Sequence, residues 1–245
     1  MVLKECILTN NSCYIKGKKI VGNPTGIVVH STGANNKSLK RYVQPIKGQD
    51  NYNAIIADIG LNKYSNSWNR PDIQKCVHAF IGENANGDIE VYKTLPYDIC
   101  CWGVGSGKNG SYNYNPNAHI QFEICEDSLA SETYFNRVMK EATEYCAYLC
   151  KMFNLNTKTI VSHYECYKFG YGSNHGDIDY WLKKYNKNMD WFRKEVDKLL
   201  AQPLEKEKAT YRVQVGTYTN KNNAEKVAND LINLGYNAKI VEVIL

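Results

Sequence analysis

Apolar and polar residues alternate along the chain in a way that predicts five short β-strands. Residues 26–30, 120–124 and 159–163 are brief apolar runs, and the runs at 78–82 and 88–92 flank a turn-rich segment that is typical of a hairpin. Two of these runs end in a histidine at their carboxyl end. The pattern therefore predicts a sheet whose strand ends carry polar chemistry.

Helical spacing predicts a long amphipathic helix after the strand at 120–124. Its apolar face carries Phe135, Val138, Met139, Ala142, Cys146, Leu149 and Phe153. A second helical pattern precedes residue 202, with Trp191, Phe192, Val196, Leu199 and Leu200. Strands and helices follow no strict β-α-β order, so the predicted fold class is α/β, a central mixed β-sheet flanked by helices.

The sequence divides near residue 202. Residues 202–210 are polar and charged, contain a proline and are typical of a linker. Residues 211–245 predict a small C-terminal β-α-β unit, with Gly235 at a left-handed helix cap. We therefore expect a main domain over 1–201, a linker over 202–210 and an appended unit that is too small to hold a core alone.

Composition narrows the class of protein. The chain has 245 residues, 43% hydrophobic and 22% charged, which suits a globular protein with a sizeable core. It contains no apolar run of about 20 residues, and its N-terminus has no secretory-signal pattern, so we expect no membrane insertion. The net charge of +5 is spread thinly, which argues against a nucleic-acid partner. Nine irregularly spaced cysteines predict reduced core thiols.

The histidines are the main candidates for chemistry. The chain has five, of which His30 and His163 end apolar strands and His175 lies in the polar turn Ser173–Asp177. Two imidazoles and a carboxylate are a common ligand set of catalytic zinc, with water in the fourth position. From the residues alone, a zinc site and ordinary packing or surface roles for these histidines are about equally supported.

Several strings, in this order, resemble the type-2 N-acetylmuramoyl-L-alanine amidases, most strongly the clostridial and phage endolysin branch. The resemblance spans about residues 20–197, and it implies the zinc amidase fold that is shared with peptidoglycan recognition proteins. The strings are Ile-Val-Val-His-Ser at 27–31, His-Ala-Phe-Ile-Gly at 78–82, Ile-Gln-Phe-Glu-Ile-Cys-Glu-Asp at 120–127, Val-Ser-His at 161–163, Ser-Asn-His-Gly-Asp at 173–177 and Met-Asp-Trp-Phe-Arg at 189–193.

The resemblance implies a role for each site residue. His30, His163 and Asp177 match the family's metal ligands, so Zn²⁺ is the expected cofactor. Glu123 matches a catalytic glutamate, and His175 falls where the family often has a lysine that stabilises the oxyanion. The implied reaction is hydrolysis of the amide bond between N-acetylmuramic acid and L-alanine in bacterial peptidoglycan, as an endolysin or an autolysin.

The chain departs from the family pattern near the third ligand. Residues 168–172 lengthen the segment between the second histidine and Asp177, so His175, Asp179 and Cys166 stay open as alternative third ligands. His175 also replaces the commoner lysine, which would make oxyanion stabilisation depend on pH near the pKa of imidazole.

The long loop 102–118 departs from the family pattern at its first residues. The same loop supplies candidate substrate contacts. Trp102-Gly103 stands where the family often has Trp-His. Trp102, Tyr112 and Tyr114 could stack on sugar rings, and ordinary anchoring of the loop is an equally supported role for them. His78 is expected to pack inside the fold, and His119 to lie at the rim of the site.

The tail resembles the first half of a SPOR domain, a class that binds peptidoglycan. Because one half has an exposed strand edge, a homodimer through residues 211–245 is one hypothesis. The rival function is a non-catalytic peptidoglycan-binding module on the same fold. A zinc peptidase is a third candidate function, but the sequence lacks the His-Glu-x-x-His motif that would support it. We expect synthesis in the cytoplasm and action on the cell wall after holin-type release or another export route.

Overall fold

A computed structural model describes residues 1–201, 214–236 and 238–241, which fall into two units, Met1–Pro203 and Leu204–Leu245. In the first unit six strands form one sheet in the order β1-β4-β3-β5-β2-β6. Only β3 and β4 pair antiparallel, and the other neighbours are parallel. The predicted mixed sheet is confirmed; its strands are β1 Leu3–Glu5, β2 Ile27–Ser31, β3 Ala79–Glu83, β4 Ile89–Lys93, β5 Ile120–Ile124 and β6 Ile160–Ser162.

Six α-helices accompany this sheet, and the longest is the predicted amphipathic helix. That helix begins after Ser131, whose hydroxyl accepts from the Tyr134 N–H, and it ends at Asn154 in the left-handed conformation (φ 55°). All but one of its predicted apolar positions are fully buried. The six are α1 Ser12–Lys16, α2 Tyr52–Ile59, α3 Glu132–Phe153, α4 His163–Phe169, α5 Asp179–Lys184 and α6 Met189–Ala201.

Alternation along β2 and β5 separates the hydrophobic core from a polar face. The core between the sheet and the helices α3 and α6 takes Ile27, Val29, Ile120, Phe122 and Ile124. The residues between them must point to the opposite face, because successive side chains of a strand alternate. His30, Gln121 and Glu123 therefore share the face away from α3.

All nine cysteines lie in the first unit, and each is free and buried, as predicted. Burial raises the pKa of the Cys6 thiol to about 12 and that of Cys150 to about 11. These thiols behave as small apolar side chains of the core.

The second unit contains one described helix, α7, over Lys221–Asn233. Gly235 follows it with φ 87°, which confirms the predicted left-handed cap. The described parts of the two predicted strands, 214–216 and 238–241, form no strand, and the rest of both strands and the linker 202–210 lie outside the described residues. No side chain of α7 is buried. Within the described ranges, no helix is long and apolar enough to cross a membrane.

Two histidines are packing residues. The His78 side chain is buried, its Nε2 lies 3.0 Å from the Ile99 carbonyl oxygen, and the predicted packing role is confirmed. His119 is also buried, with its ring stacked on Tyr112 at 3.9 Å between centroids, so its expected position at the rim was wrong. Burial lowers the pKa of each imidazole to about 4.

These depressed pKa values predict a loss of stability in acid. An unfolded histidine has a pKa near 6.5, so the unfolded state binds more protons than the folded state between pH 6.5 and 4. The free energy of unfolding is therefore highest above pH 6.5, where the histidines are uncharged in both states. It falls by about 3 kcal/mol per histidine as the pH approaches 4. Urea denaturation from pH 7 to 4 measures it. We expect His119→Phe to reduce the slope of the unfolding free energy against pH by the equivalent of about one proton. An unchanged slope would contradict the low pKa of His119 in the folded state.

Candidate metal centre

Three predicted ligands meet at the carboxyl ends of β2 and β6. His30 lies near the end of β2, His163 begins α4 directly after β6, and Asp177 lies in the turn before α5. One ligand atom from each lies within 4.8 Å of the others. The two oxygens of Asp177 lie 3.0 Å from Nδ1 of His30 and 3.2 Å from Nδ1 of His163.

The polar atoms of this group fit a metal ion. Oδ1 of Asp177 is buried and has no hydrogen-bond partner, although the imidazole nitrogen of His163 lies beside it. Burial raises the pKa of Asp177, but the two imidazoles lower it more, and the net pKa lies well below the usual value. The carboxylate is therefore charged. Two imidazole nitrogens and one charged oxygen are a donor set that Zn²⁺ prefers, and they leave room for water.

The alternative third ligands lie outside this group. Asp179 begins α5 and is not a member of the cluster. Cys166 is buried in an apolar cluster with Val28, Val104 and Val161. The His175 ring is exposed and stacks on the ring of His163, with 4.9 Å between centroids. Among the described residues, Asp177 is thus the third member of the cluster.

The start of α4 is held in place by hydrogen bonds and an ion pair. Ser162 and Glu165 form a capping box, in which each side chain accepts from the other residue's backbone N–H. Arg193 of α6 donates to both carboxylate oxygens of Glu165 at 2.9 and 3.0 Å, and to the Ile160 carbonyl oxygen at 2.9 Å. These bonds hold the backbone of His163 against β6.

The second nitrogen of each imidazole also has a partner. Nε2 of His163 lies 3.2 Å from Oγ of Ser173, whose hydroxyl donates to the Val104 carbonyl oxygen at 3.0 Å. Since the hydroxyl has one hydrogen, it accepts from Nε2–H, and Nδ1 is the nitrogen that faces Asp177. Nε2 of His30 lies 3.1 Å from Oε1 of Gln121. Sequence reasoning missed Gln121, although it stands two residues before Glu123 on the same strand face.

Glu123 lies beside His30 because the two residues are register partners in the parallel β2–β5 pair. The residue is half-buried, and its Oε2 is excluded from solvent without a hydrogen-bond partner. Burial raises the pKa of this carboxyl well above its usual value, and the negative charge of Asp177 raises it further. A carboxyl in this state is suited to accepting and returning a proton.

A cavity of about 470 Å³ opens over these residues. Sequence reasoning missed Lys75 and Trp68 in its wall, where the ammonium group lies 4.7 Å above the indole ring. The lining is His30, Ser31, Thr32, Gly33, Trp68, Lys75, Gly103, Glu123, His163, Ser173, His175, Gly176, Asp177 and Tyr180.

The three predicted substrate aromatics are not part of this lining. Trp102 packs against a buried cysteine cluster. The Tyr112 ring is stacked between His119 and Tyr171, at 3.9 and 4.7 Å between centroids, which anchors the long loop. Tyr114 is exposed. Their role in binding sugar stays a prediction.

Comparison with known proteins agrees with this geometry. Residues 207–244 match the SPOR domain family. A bifunctional autolysin of Staphylococcus aureus is 29% identical over 178 residues, which cover 69% of this chain and 11% of that protein. The chain therefore spans about a tenth of the length of these curated relatives.

Two solved structures share the fold. A crystal structure of the Staphylococcus aureus hydrolase AmiA with its ligand has a TM-score of 0.53 at 21% identity, covering 82% of this chain and 83% of that one. The catalytic domain of XlyA has a TM-score of 0.52 at 19% identity, covering 80% and 99%. Residues 21–178, which contain all three members of the metal cluster, match the N-acetylmuramoyl-L-alanine amidase family, and the chain belongs to that family.

Proposed function

We propose that the protein is a zinc-dependent N-acetylmuramoyl-L-alanine amidase, which hydrolyses the amide bond between N-acetylmuramic acid and L-alanine in bacterial peptidoglycan. The observation that carries the proposal is the group of His30, His163 and Asp177 at the base of a cavity that also contains Glu123. Family membership and the names of the relatives, autolysins and endolysins, support the same substrate.

Each residue has a distinct task in this reaction. Zinc, when bound by His30, His163 and Asp177, would polarise the scissile carbonyl and lower the pKa of water. Glu123, on the neighbouring strand, takes the proton of the attacking water and returns it to the leaving amine of L-alanine. His175 stands exposed at the cavity wall, where it donates a hydrogen bond to the oxyanion.

The rival is a peptidoglycan-binding module without catalysis. Two features favour the enzyme: a complete set of three ligands, and a carboxyl beside them with an unpartnered, buried oxygen. A binding module has no use for Glu123, since a buried carboxyl without a partner lowers stability.

For the second unit, we propose that it binds peptidoglycan and concentrates the enzyme on the cell wall, as its match to the SPOR family suggests. Pairing of two such units into a homodimer stays a hypothesis. Light scattering tests it, and a monomer at high concentration would refute it. Holin-type release of an endolysin stays the predicted route to the wall.

Removing the metal is expected to abolish cleavage. Peptidoglycan incubated with the protein should gain new L-alanine amino termini without new reducing sugar ends, and a chelator should suppress them until zinc is added back. Cleavage farther along the stem peptide would point to a peptidase. Binding to the wall without new termini would establish the binding module instead.

Glu123→Gln is expected to reduce turnover by a factor of about 10² to 10⁴, because the amide cannot take the proton of water. Zinc content should stay unchanged, as measured by metal analysis of the purified variant. Glu141→Gln is the matched control, since Glu141 is a half-buried carboxylate of α3 whose Oε2 has no hydrogen-bond partner, lies 3.9 Å from the N-terminal ammonium and is not part of the cavity wall. Equal turnover in the two variants would remove Glu123 from the mechanism.

A further inference from the structure

We propose that Gln121 is a positioning residue that holds His30 in the Nε2–H tautomer, so that its Nδ1 lone pair is presented to the metal. The inference rests on the metal site of the proposed function. It is carried by a chain of hydrogen bonds from the backbone of the long loop through Asn113 and Gln121 to His30. Each step fixes which atom donates and which accepts.

The chain starts at Asn113, whose side-chain amide is oriented by backbone groups. Its Oδ1 accepts from the N–H of Gly103 at 3.0 Å and from the N–H of Val104 at 3.1 Å. A backbone N–H can only donate, so the atom that faces both must be the amide oxygen. Asn113 is buried, and this orientation is therefore fixed.

The orientation of Gln121 follows from that of Asn113. One end of the Gln121 amide lies 3.0 Å from Oδ1 of Asn113 and 3.4 Å from the Tyr112 carbonyl oxygen. Both partners are acceptors, so this end must be the NH₂ group. The amide oxygen is then the end that faces His30.

The tautomer of His30 is the last step. Oε1 of Gln121 lies 3.1 Å from Nε2 of His30, and an amide oxygen can only accept. Nε2 must therefore carry the hydrogen. The other nitrogen, Nδ1, is the atom that lies 3.0 Å from Oδ2 of Asp177, so it is the nitrogen that faces the cluster. With the hydrogen on Nε2 held by Gln121, Nδ1 is the nitrogen that can give its lone pair to a metal ion at the cluster.

Packing makes this arrangement specific to glycine at position 103. A Cβ on Gly103 would lie 2.2 Å from Oε1 of Gln121 and 3.3 Å from Nε2 of His30. Gly103 is not in a left-handed conformation, so its lack of a side chain is required by this contact and not by backbone geometry. The space beside His30 that a histidine would need at position 103 is thus filled by the amide of Gln121.

The test measures metal affinity and the tautomer, and not only activity. In metal-free protein, ¹⁵N NMR of the histidine rings should show a hydrogen on Nε2 of His30. We expect Gln121→Met to give a mixture of tautomers and to weaken zinc binding about 10- to 100-fold in competition with a chelator. Gly103→Ala should give the same two changes, because the new methyl group displaces the Gln121 amide.

Gln44→Met is the matched control. Gln44 is a buried glutamine with three hydrogen bonds of its own, to Val43, Gly60 and Asn62, and it does not line the cavity. This variant should lose stability to a similar degree while its zinc affinity and the His30 spectrum stay unchanged.

The outcomes separate this inference from the proposed function. A metal-free wild-type protein in which Nε2 of His30 carries no hydrogen overturns the inference, whether or not Gln121→Met folds. Equal zinc affinity in wild type and Gly103→Ala overturns it too. If the tautomer and the loss of affinity are found but peptidoglycan is not cleaved, the inference stands and the amidase assignment fails.

Discussion

Parallel pairing of β2 with β5 is the constraint on which the candidate metal centre depends. The pairing sets His30 beside Glu123, and it sets Val29 beside Phe122 in the core against α3. A slip of one residue in either strand would turn its polar side chains into that core. The register that buries the apolar residues therefore also assembles the site, and packing energy and site geometry select the same alignment.

The buried polar atoms of the site fall into two groups. The outer nitrogens of the imidazoles are satisfied by neutral partners, Gln121 and Ser173, which bring no charge close to the cluster. Oδ1 of Asp177 and Oε2 of Glu123 have no partner in the fold. An unpartnered buried polar atom costs about 1–3 kcal/mol, so the fold is less stable here than it would be with apolar residues. In the proposed function, these unmade bonds are where a metal ion and a substrate would gain free energy on binding.

Much of this arrangement could be predicted from local sequence. The strands β2, β5 and β6 and the helix α3 follow from apolar periodicity, which acts over a few residues. His30 and His163 could be recognised because each stands at the carboxyl end of an apolar run. The short elements β1, α1, α2 and α4 could not, since three to eight residues carry too little periodicity and form through tertiary contacts.

The contacts around the cluster were harder to predict, because they join segments that are distant in sequence. Gln121 has a role only once Asn113 and Gly103 lie beside it, which depends on the path of the long loop. The contact of Lys75 with the ring of Trp68 in the cavity wall also depends on how the folded chain brings two segments together. His119 looked like a rim residue from its place at the end of that loop, yet its ring is covered by Tyr112.

The buried thiols have a chemical consequence. A thiol with a pKa of about 12 or 11, as for Cys6 and Cys150, is almost entirely protonated at neutral pH. Oxidants and alkylating agents react with the thiolate, and they must also reach the sulfur. All nine cysteines are buried, so the folded protein shields each sulfur from reagents in the solvent.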